Sequence, residues 1–285
     1  MQIMSEYKCK RLVFSSSATV YGETDANPIK ETEPLSATSP YGRSKLMVED
    51  MLRDQCKADD EWGVAILRYF NPVGAHPSGL LGEDPKGIPN NLMPFITKVA
   101  TGAQPELKIF GSDYPTKDGT GVRDYLHVMD LSQGHIAAIG ALEGGLKGAE
   151  PFNLGTGIGV SVLEMVDAFG VARGEPIPYT MQDRRAGDVA ECYADASKAR
   201  RQLGWRAHCT VQEMCRDVLT WTRHNPEGFG SGSSQGEAPG ACVPMAPEPA
   251  LRSVVTETLS HSHTHTRLPS RRSKVAVAAV ASHTS

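Results

Sequence analysis

Short apolar runs alternate with longer amphipathic stretches over the first 229 residues, and this alternation constrains the fold more than any other feature. Continuous apolar runs are typical of strands that are buried on both faces of a parallel sheet. The pattern therefore predicts an α/β protein. The predicted strands are 11–15, 64–69, 107–110 and 151–154. The predicted helices begin at about Tyr41 and then span about 131–142, 161–173, 197–203 and 211–224.

The helix that begins near Tyr41 has a regular apolar pattern. Its apolar residues recur at helical period, which predicts one face packed against the sheet. These residues are Met47, Val48, Met51, Leu52 and Cys56.

Composition sets the class of protein. The chain has 285 residues, 40% of them hydrophobic, and a net charge of −4, so a globular core is expected and neither nucleic acid nor a membrane surface is an expected partner. Six cysteines occur without a C-x-x-C pair, which favours a reducing compartment. The first residues do not resemble a signal peptide, and no apolar run has membrane-spanning length. A cytosolic location is therefore predicted.

The composition changes after Phe229, where residues 230–236 resemble a flexible linker. Residues 230–285 lack periodicity and are predicted to be a disordered tail. His261, His263 and His265 alternate with Ser and Thr, and we interpret them as incidental composition. No metal site is predicted.

Three side chains form the main candidate for chemistry. Ser17 ends the first predicted strand, where parallel sheets bind ligands, and Tyr41 and Lys45 lie one turn apart on the following helix. A tyrosine titrates near pH ~10, so its use as a base requires a neighbouring positive charge, which Lys45 offers. Ser17 could hydrogen-bond the substrate hydroxyl or relay its proton. The alternatives are a lysine that serves solubility and a serine run that only forms a turn.

Two motifs carry a family resemblance. Residues 15–22 and 40–45 closely resemble the extended short-chain dehydrogenase/reductase family. Further motifs are similar to the UDP-glucose 4-epimerase family, and the likeness covers about Leu12 to Phe229. These motifs are 68–76, 82–85, 87–94, 119–125 and 153–157.

The resemblance implies a partial Rossmann-type parallel sheet with a smaller α/β substrate-binding domain. Residues 1–75 would be the C-terminal portion of the NAD-binding domain, interleaved with later segments, and 76–229 mainly the UDP-sugar-binding domain. It also implies NAD as cofactor, UDP-hexoses as substrates, a homodimer and 4-epimerisation between UDP-glucose and UDP-galactose. Tyr41 would remove the proton of the sugar 4-hydroxyl during a transient oxidation.

The same resemblance assigns roles to individual residues. Ser17, Tyr41 and Lys45 would be catalytic, and Lys45 and Tyr69 would also contact NAD. The implied substrate contacts are Ser17, Ala18, Thr19, Tyr69, Phe70, Asn71, Asn90, Asn91, Leu92, Lys108, Ile109, Phe110, Arg123, Arg185, Asp188 and Cys192.

Several of these roles make physical sense. Guanidinium groups of Arg123 and Arg185 suit a diphosphate, although each could simply be a surface charge. Ile109 and Phe110 could form an apolar slot for uridine, and Asp188 would bind ribose hydroxyls. By resemblance, the residue at Cys192 sets pocket width, and a small residue there would admit N-acetylated sugars.

Other interpretations stay open. No glycine-rich turn follows a strand near the start of the sequence, so the chain is expected to lack the family's N-terminal NAD-binding segment and to bind NAD poorly. A non-catalytic form that binds UDP-sugar, or pairs with the full-length enzyme through the Tyr41 helix, is the alternative. A related dehydratase would place Asp-Glu where Ala18 and Thr19 stand.

Overall fold

The computed structural model describes residues 1–89, 91–185, 187–231 and 274–279. The strands are β1 (Arg11–Ser17), β2 (Gly63–Tyr69), β3 (Asn71–Val73), β4 (Leu107–Phe110), β5 (Val122–Arg123), β6 (Tyr125–His127), β7 (Gly148–Leu154), β8 (Val160–Ser161), β9 (Tyr179–Gln182), β10 (Glu191–Cys192) and β11 (Ala276–Ala279). The helices are α1 (Gln2–Glu6), α2 (Pro40–Ala58), α3 (Leu92–Ala100), α4 (Val128–Glu143), α5 (Val162–Arg173), α6 (Ser197–Leu203) and α7 (Val211–His224).

Four parallel strands form the main sheet in the order β11–β1–β2–β7. Successive residues of β1 and β2 face opposite sides of this sheet. Phe14 and Ile66 pack with Leu52 of α2 on one face, whereas Val13 and Leu67 pack with residues of α4 and α6 on the other. Helices therefore cover both faces of a parallel sheet, and the predicted α/β fold is confirmed.

Helix α2 starts where its local sequence favours a helix start. The side chain of Ser39 caps the Gly42 amide, and Pro40 occupies the first turn, where its missing N–H costs nothing. The predicted apolar face is only partly buried. Leu52 packs against the sheet, but Met47 and Met51 are 64% and 56% exposed, because the buried face is narrower than the apolar stripe.

A second core lies outside the main sheet. Residues of α3, α5 and α7 pack there with Leu107 and Ile109 of β4, which pairs in parallel with β9. The pair β3–β6 and the three-stranded sheet β10–β5–β8 complete the strand pairings of the described residues. Strand β7 returns to the main sheet after this region has begun. The domain limits at residues 75 and 229 stay predictions.

A buried polar network connects α2 to the sheet. Arg68 of β2 donates to both carboxylate oxygens of Glu49, over 3.0 and 2.6 Å, and both side chains are almost fully buried. Ser16 of β1 also donates to Glu49. Arg68 further donates to the hydroxyl of Tyr21, which in turn donates to Asn153 of β7. One carboxylate therefore joins α2 to two strands, and Tyr21 extends the contact to a third.

The ionisation of this network is set by its partners. Burial alone would raise the pKa of Glu49, but the hydrogen bonds and charge of Arg68 outweigh burial and lower the pKa. Burial raises the pKa of Tyr21 to about 12, so its hydroxyl stays protonated at neutral pH. The pair is thus a carboxylate and a guanidinium, bridged to a neutral phenol.

The C-terminal segment departs from the predicted disorder at four residues. Residues Ala276–Ala279 form β11 and pair in parallel with β1, although residues 230–285 were predicted to be a disordered tail. Sequence reasoning missed this strand because the run is short and its partner is more than 250 residues earlier in the chain. His261, His263 and His265 lie outside the described residues. In the described part of the chain, no helix is long and apolar enough to cross a membrane.

Candidate active site

Ser17 and Tyr41 meet at the carboxyl end of the main sheet. Ser17 is the last residue of β1, and Tyr41 lies in the first turn of α2. The Ser17 hydroxyl oxygen accepts hydrogen bonds from the amide and the hydroxyl of Thr19. Its own proton is then directed to Tyr41, with which it shares a hydrogen bond. The predicted contact between the serine strand and the tyrosine helix is therefore present.

Lys45 lies one helical turn after Tyr41 on α2, close to this pair. Its side chain is buried, and its ammonium donates to the Ser15 carbonyl over 2.9 Å. The same nitrogen is 5.4 Å from the centre of the Tyr41 ring and 5.5 Å from that of Phe14. Burial lowers the pKa of Lys45. A positive charge held by a backbone carbonyl thus lies within range of the Tyr41 phenol.

The pKa of Tyr41 differs from the sequence-based expectation. Burial raises it, the neighbouring Tyr69 raises it further, and the hydrogen bond from Ser17 opposes both effects. A lowered pKa was expected from the charge of Lys45, but the pKa is raised, because desolvation of the phenolate is the largest effect.

His135 is a neighbour that sequence reasoning missed. It lies on α4, and its Nδ1 is 3.0 Å from the Leu131 carbonyl, which can only accept, so Nδ1 carries the proton. Its Nε2 therefore accepts from the Ser15 hydroxyl over 2.9 Å. Tyr69 lies beside both, with its ring centre 6.3 Å from that of His135 and a hydrogen bond to Ser15. A lone histidine on a helix gives no sequence signal of such a role.

Two arginines and an aspartate form a second group, the arginine cluster (Arg123, Arg185 and Asp188). Arg185 donates to Asp188 over 3.0 Å, and Arg123 approaches the other oxygen of the same carboxylate at 3.9 Å. The Arg185 guanidinium also lies 4.8 Å from the centre of the Phe110 ring. Both guanidinium groups thus lie near one carboxylate, and that of Arg185 also lies beside an aromatic ring.

Cys192 lies between the arginine cluster and a small core cluster. It is paired with Arg123 in the β5–β10 ladder. Its side chain packs against the core cluster that contains Phe70, and Ala18, which directly follows Ser17, packs against the same cluster. Burial raises the pKa of Cys192, so it is a neutral thiol at neutral pH. The two groups of predicted residues therefore border a common core cluster.

The remaining predicted residues are less closely grouped. The backbone amide of Asn71 donates to the backbone carbonyl of Asp124, the residue after Arg123. Asn91 precedes α3 and makes no capping bond, and Leu92 packs on the second core. Lys108 is exposed, whereas Ile109 is buried in that core, so Ile109 faces away from any slot beside Phe110. Asn90 lies outside the described residues.

Asp124 organises this region, although no role was predicted for it. Its fully buried carboxylate accepts from the amides of Thr156, Gly157 and Ala194 and from the Thr156 hydroxyl. These bonds hold the turn after β7 and the segment after β10 against Asp124. Burial nonetheless raises the pKa of Asp124. The sequence signal was its position inside the motif 119–125.

The parallel sheet and its serine, tyrosine and lysine define a protein of the short-chain dehydrogenase/reductase class. A family model described as GDP-mannose 4,6 dehydratase matches residues 1–218. UDP-glucose 4-epimerase 2 of Arabidopsis thaliana is 56% identical over 234 residues, which are 82% of this chain and 67% of the relative. The chain belongs to the UDP-glucose 4-epimerase family.

Other comparisons agree. UDP-glucose 4-epimerase of Bacillus subtilis (strain 168) is 56% identical over 230 residues, covering 81% of this chain and 68% of the relative. The structure of UDP-glucose 4-epimerase from Bifidobacterium longum in complex with NAD+ and UDP has a TM-score of 0.76 and 53% identity, covering 80% of this chain and 68% of that chain. The chain thus spans about two thirds of the length of these relatives.

The hydrogen bonds of two histidines predict opposite neutral tautomers. His135 should carry its proton on Nδ1, whereas His127 accepts the Met129 amide at Nδ1 and should carry its proton on Nε2, which faces Asp217. Nitrogen-15 NMR of histidine-labelled protein at about pH 8, above the usual histidine pKa, distinguishes the two forms. The substitution Ser15→Ala should shift the His135 Nε2 resonance and leave that of His127 unchanged. The same tautomer at both residues would contradict this geometry.

Proposed function

We propose that this chain carries out NAD-dependent 4-epimerisation of UDP-glucose and UDP-galactose, as an isomerase of galactose metabolism. The observation that carries the proposal is the contact between Ser17 and Tyr41 above the buried ammonium of Lys45. The proposal is supported by relatives that are UDP-glucose 4-epimerases and share more than half of their aligned residues with this chain. The domain limits at residues 75 and 229 belong to the same proposal.

The carboxyl ends of β1 and β2 fit the nicotinamide and ribose part of NAD. Lys45 offers a buried donor there, and Tyr69 offers an aromatic face and a hydroxyl. When bound, NAD supplies the acceptor for the hydride of the sugar C4 and returns it to the opposite face of the ring. Neighbouring epimerase structures are complexes with NAD or NAD+, which supports this cofactor.

Proton transfer is assigned to Tyr41. Its phenolate oxygen takes the proton of the 4-hydroxyl and later gives it back. In the free chain the Ser17 proton is directed to Tyr41, and when a sugar is bound the same proton would turn to the 4-hydroxyl. The cationic Lys45 favours the phenolate, and a bound nicotinamide cation would add to that effect against the cost of burial.

Binding of the UDP part is assigned to the arginine cluster. Arg123 is held by the carbonyls of Val122 and Val189, each over 2.9 Å, so its guanidinium is fixed before a ligand arrives. Arg185 is more exposed and forms a salt bridge with Asp188. The Asp188 carboxylate would be shared between the arginines and ribose hydroxyls. Tight binding of the UDP part would keep the substrate in place while the hexose rotates between the two hydride transfers. Asn71, Asn90, Asn91, Leu92, Lys108 and Phe110 complete the proposed contacts.

A homodimer and a cytosolic location are also proposed. The exposed Met47 and Met51 lie one turn apart on α2 and form an apolar strip, which is typical of an interface. This strip supports pairing through α2, and sedimentation equilibrium of the purified chain measures it. Cell fractionation measures the location.

The substitution Tyr41→Phe should abolish turnover. It removes the hydroxyl that accepts the proton and keeps the ring, so the loss should be roughly 100- to 10,000-fold in kcat. The measurement is conversion of UDP-galactose to UDP-glucose by the purified 285-residue chain with added NAD. Arg43→Lys, an exposed change two residues away on the same helix, is the matched control and should leave the rate unchanged.

Two results would contradict the proposal. Equal rates for the wild type and Tyr41→Phe would remove the tyrosine from the chemistry. Binding of UDP-sugar without any turnover by the wild type, with NAD present, would make the chain a binding form.

The substitution Cys192→Tyr should close the pocket to N-acetylated sugars. Cys192 is paired with Arg123 and packs against the cluster that contains Phe70, so a phenol ring there would take up space in the proposed sugar pocket. We expect turnover of UDP-N-acetylgalactosamine to fall by roughly 100-fold while that of UDP-galactose is retained. Cys192→Ser, which keeps the volume, is the matched control. Equal turnover of the acetylated sugar by the tyrosine variant would contradict this role.

A further inference from the structure

The edge of β1 that faces away from β2 is covered by residues from the other end of the chain. Leu12, Val13, Phe14 and Ser15 pair in parallel with Ala276 to Ala279. On its other side, β1 pairs with β2 along all seven of its residues. Within the described residues, the cover therefore extends over little more than half of β1 and stops two residues before Ser17.

The covering strand makes few and small contacts. Ala276 and Ala278 pack on the cluster around Phe14, and Val275 packs on the opposite face of the sheet. Val277 is 53% exposed. Small side chains bury little apolar area, so this strand adds much less free energy than a central strand such as β2. It is the element of the main sheet that can leave most easily.

Without β11, β1 would present an open edge. Its unpaired amides and carbonyls would lie along a strand whose last six residues are buried, and such an open edge is a template for strand addition. Side chains on the incoming strand must be small on the Phe14 face and must alternate, as they do in residues 274–279. Any other copy of the chain carries a segment with these properties.

We propose that the β1 edge from Leu12 to Ser15 is an acceptor site for a short parallel strand, filled in cis by residues 274–279. The same segment of a second copy of the chain can replace them. Because the acceptor and the strand belong to the same chain, exchange between two copies conserves every pairing and costs little. Covalent attachment gives the cis strand a high effective concentration, so the acceptor is normally closed.

The test opens the acceptor in the full chain with the double substitution Val277→Pro/Ala278→Pro. Neighbouring residues of a strand bond in alternate directions, so one of the two prolines removes a bond to β1. The matched control is Val277→Thr, because this half-exposed position tolerates a hydroxyl. The probe is a fluorescent peptide of residues 273–280.

Hydrogen exchange and peptide binding give the outcomes. In the proline variant, amides of residues 12–15 should exchange faster than in the wild type, and the peptide should protect them again. The peptide should bind the variant at least about tenfold more tightly than the wild type or the threonine control. Unchanged exchange of residues 63–69 shows that the sheet is intact. The proposal would be overturned if the amides of residues 12–15 exchanged equally slowly in the wild type, the proline variant and the threonine control. It would also be overturned if the peptide did not bind the proline variant.

A second measurement avoids proline. Chains carrying Val13→Cys and Val277→Cys, which stand opposite each other in the β1–β11 ladder, are prepared with and without nitrogen-15. After mixing, reduction and oxidation, the proposal predicts disulfide-linked peptides of mixed label whose share rises with chain concentration. If disulfides join only peptides of the same isotope label at every chain concentration, exchange between copies is excluded.

Discussion

The buried ion pair between Glu49 and Arg68 is the interaction on which the rest of the structure depends. Both groups are almost entirely out of water, so each needs a charged partner, and Glu49 has a second one in the partly exposed Arg53 of α2. The carboxylate also accepts from Ser16 of β1, and the guanidinium donates to Tyr21, which holds Asn153 of β7. Helix α2 is thereby fixed at one height and one rotation on the sheet.

This placement decides what the candidate active site can do. With Glu49 fixed, Lys45 one turn earlier is directed under β1, where the Ser15 carbonyl holds its ammonium. Tyr41, one further turn earlier, meets Ser17 at the strand end. The opposite face of the sheet contributes His135 of α4, which orients the Ser15 hydroxyl. The polar groups on both faces of β1 therefore converge on the last residues of this strand.

Sequence periodicity predicted β1, β2 and β7 of the main sheet and the helices that cover it, because continuous apolar runs and helical stripes are local signals, whereas β11 pairs with a distant strand and was missed. The Ser17, Tyr41 and Lys45 group was also predictable, since each residue lies at the end of a recognisable element. The Glu49–Arg68 pair, His135 and Asp124 were not, because their partners are far apart in the sequence. Met47 and Met51 appeared to be core residues, since a sequence pattern does not show how wide the buried face is.

The most direct test of the central claim compares Arg68→Met, Glu49→Leu and the double substitution by urea unfolding at neutral pH. Arg68→Met alone leaves the buried Glu49 carboxylate with only the partly exposed Arg53 as a cationic partner, and we expect a loss of about 3 kcal/mol in the free energy of unfolding. The double variant should lose much less than the sum of the single variants, because two apolar side chains can replace a buried ion pair. Additive losses would show that the two groups act independently and would contradict the account.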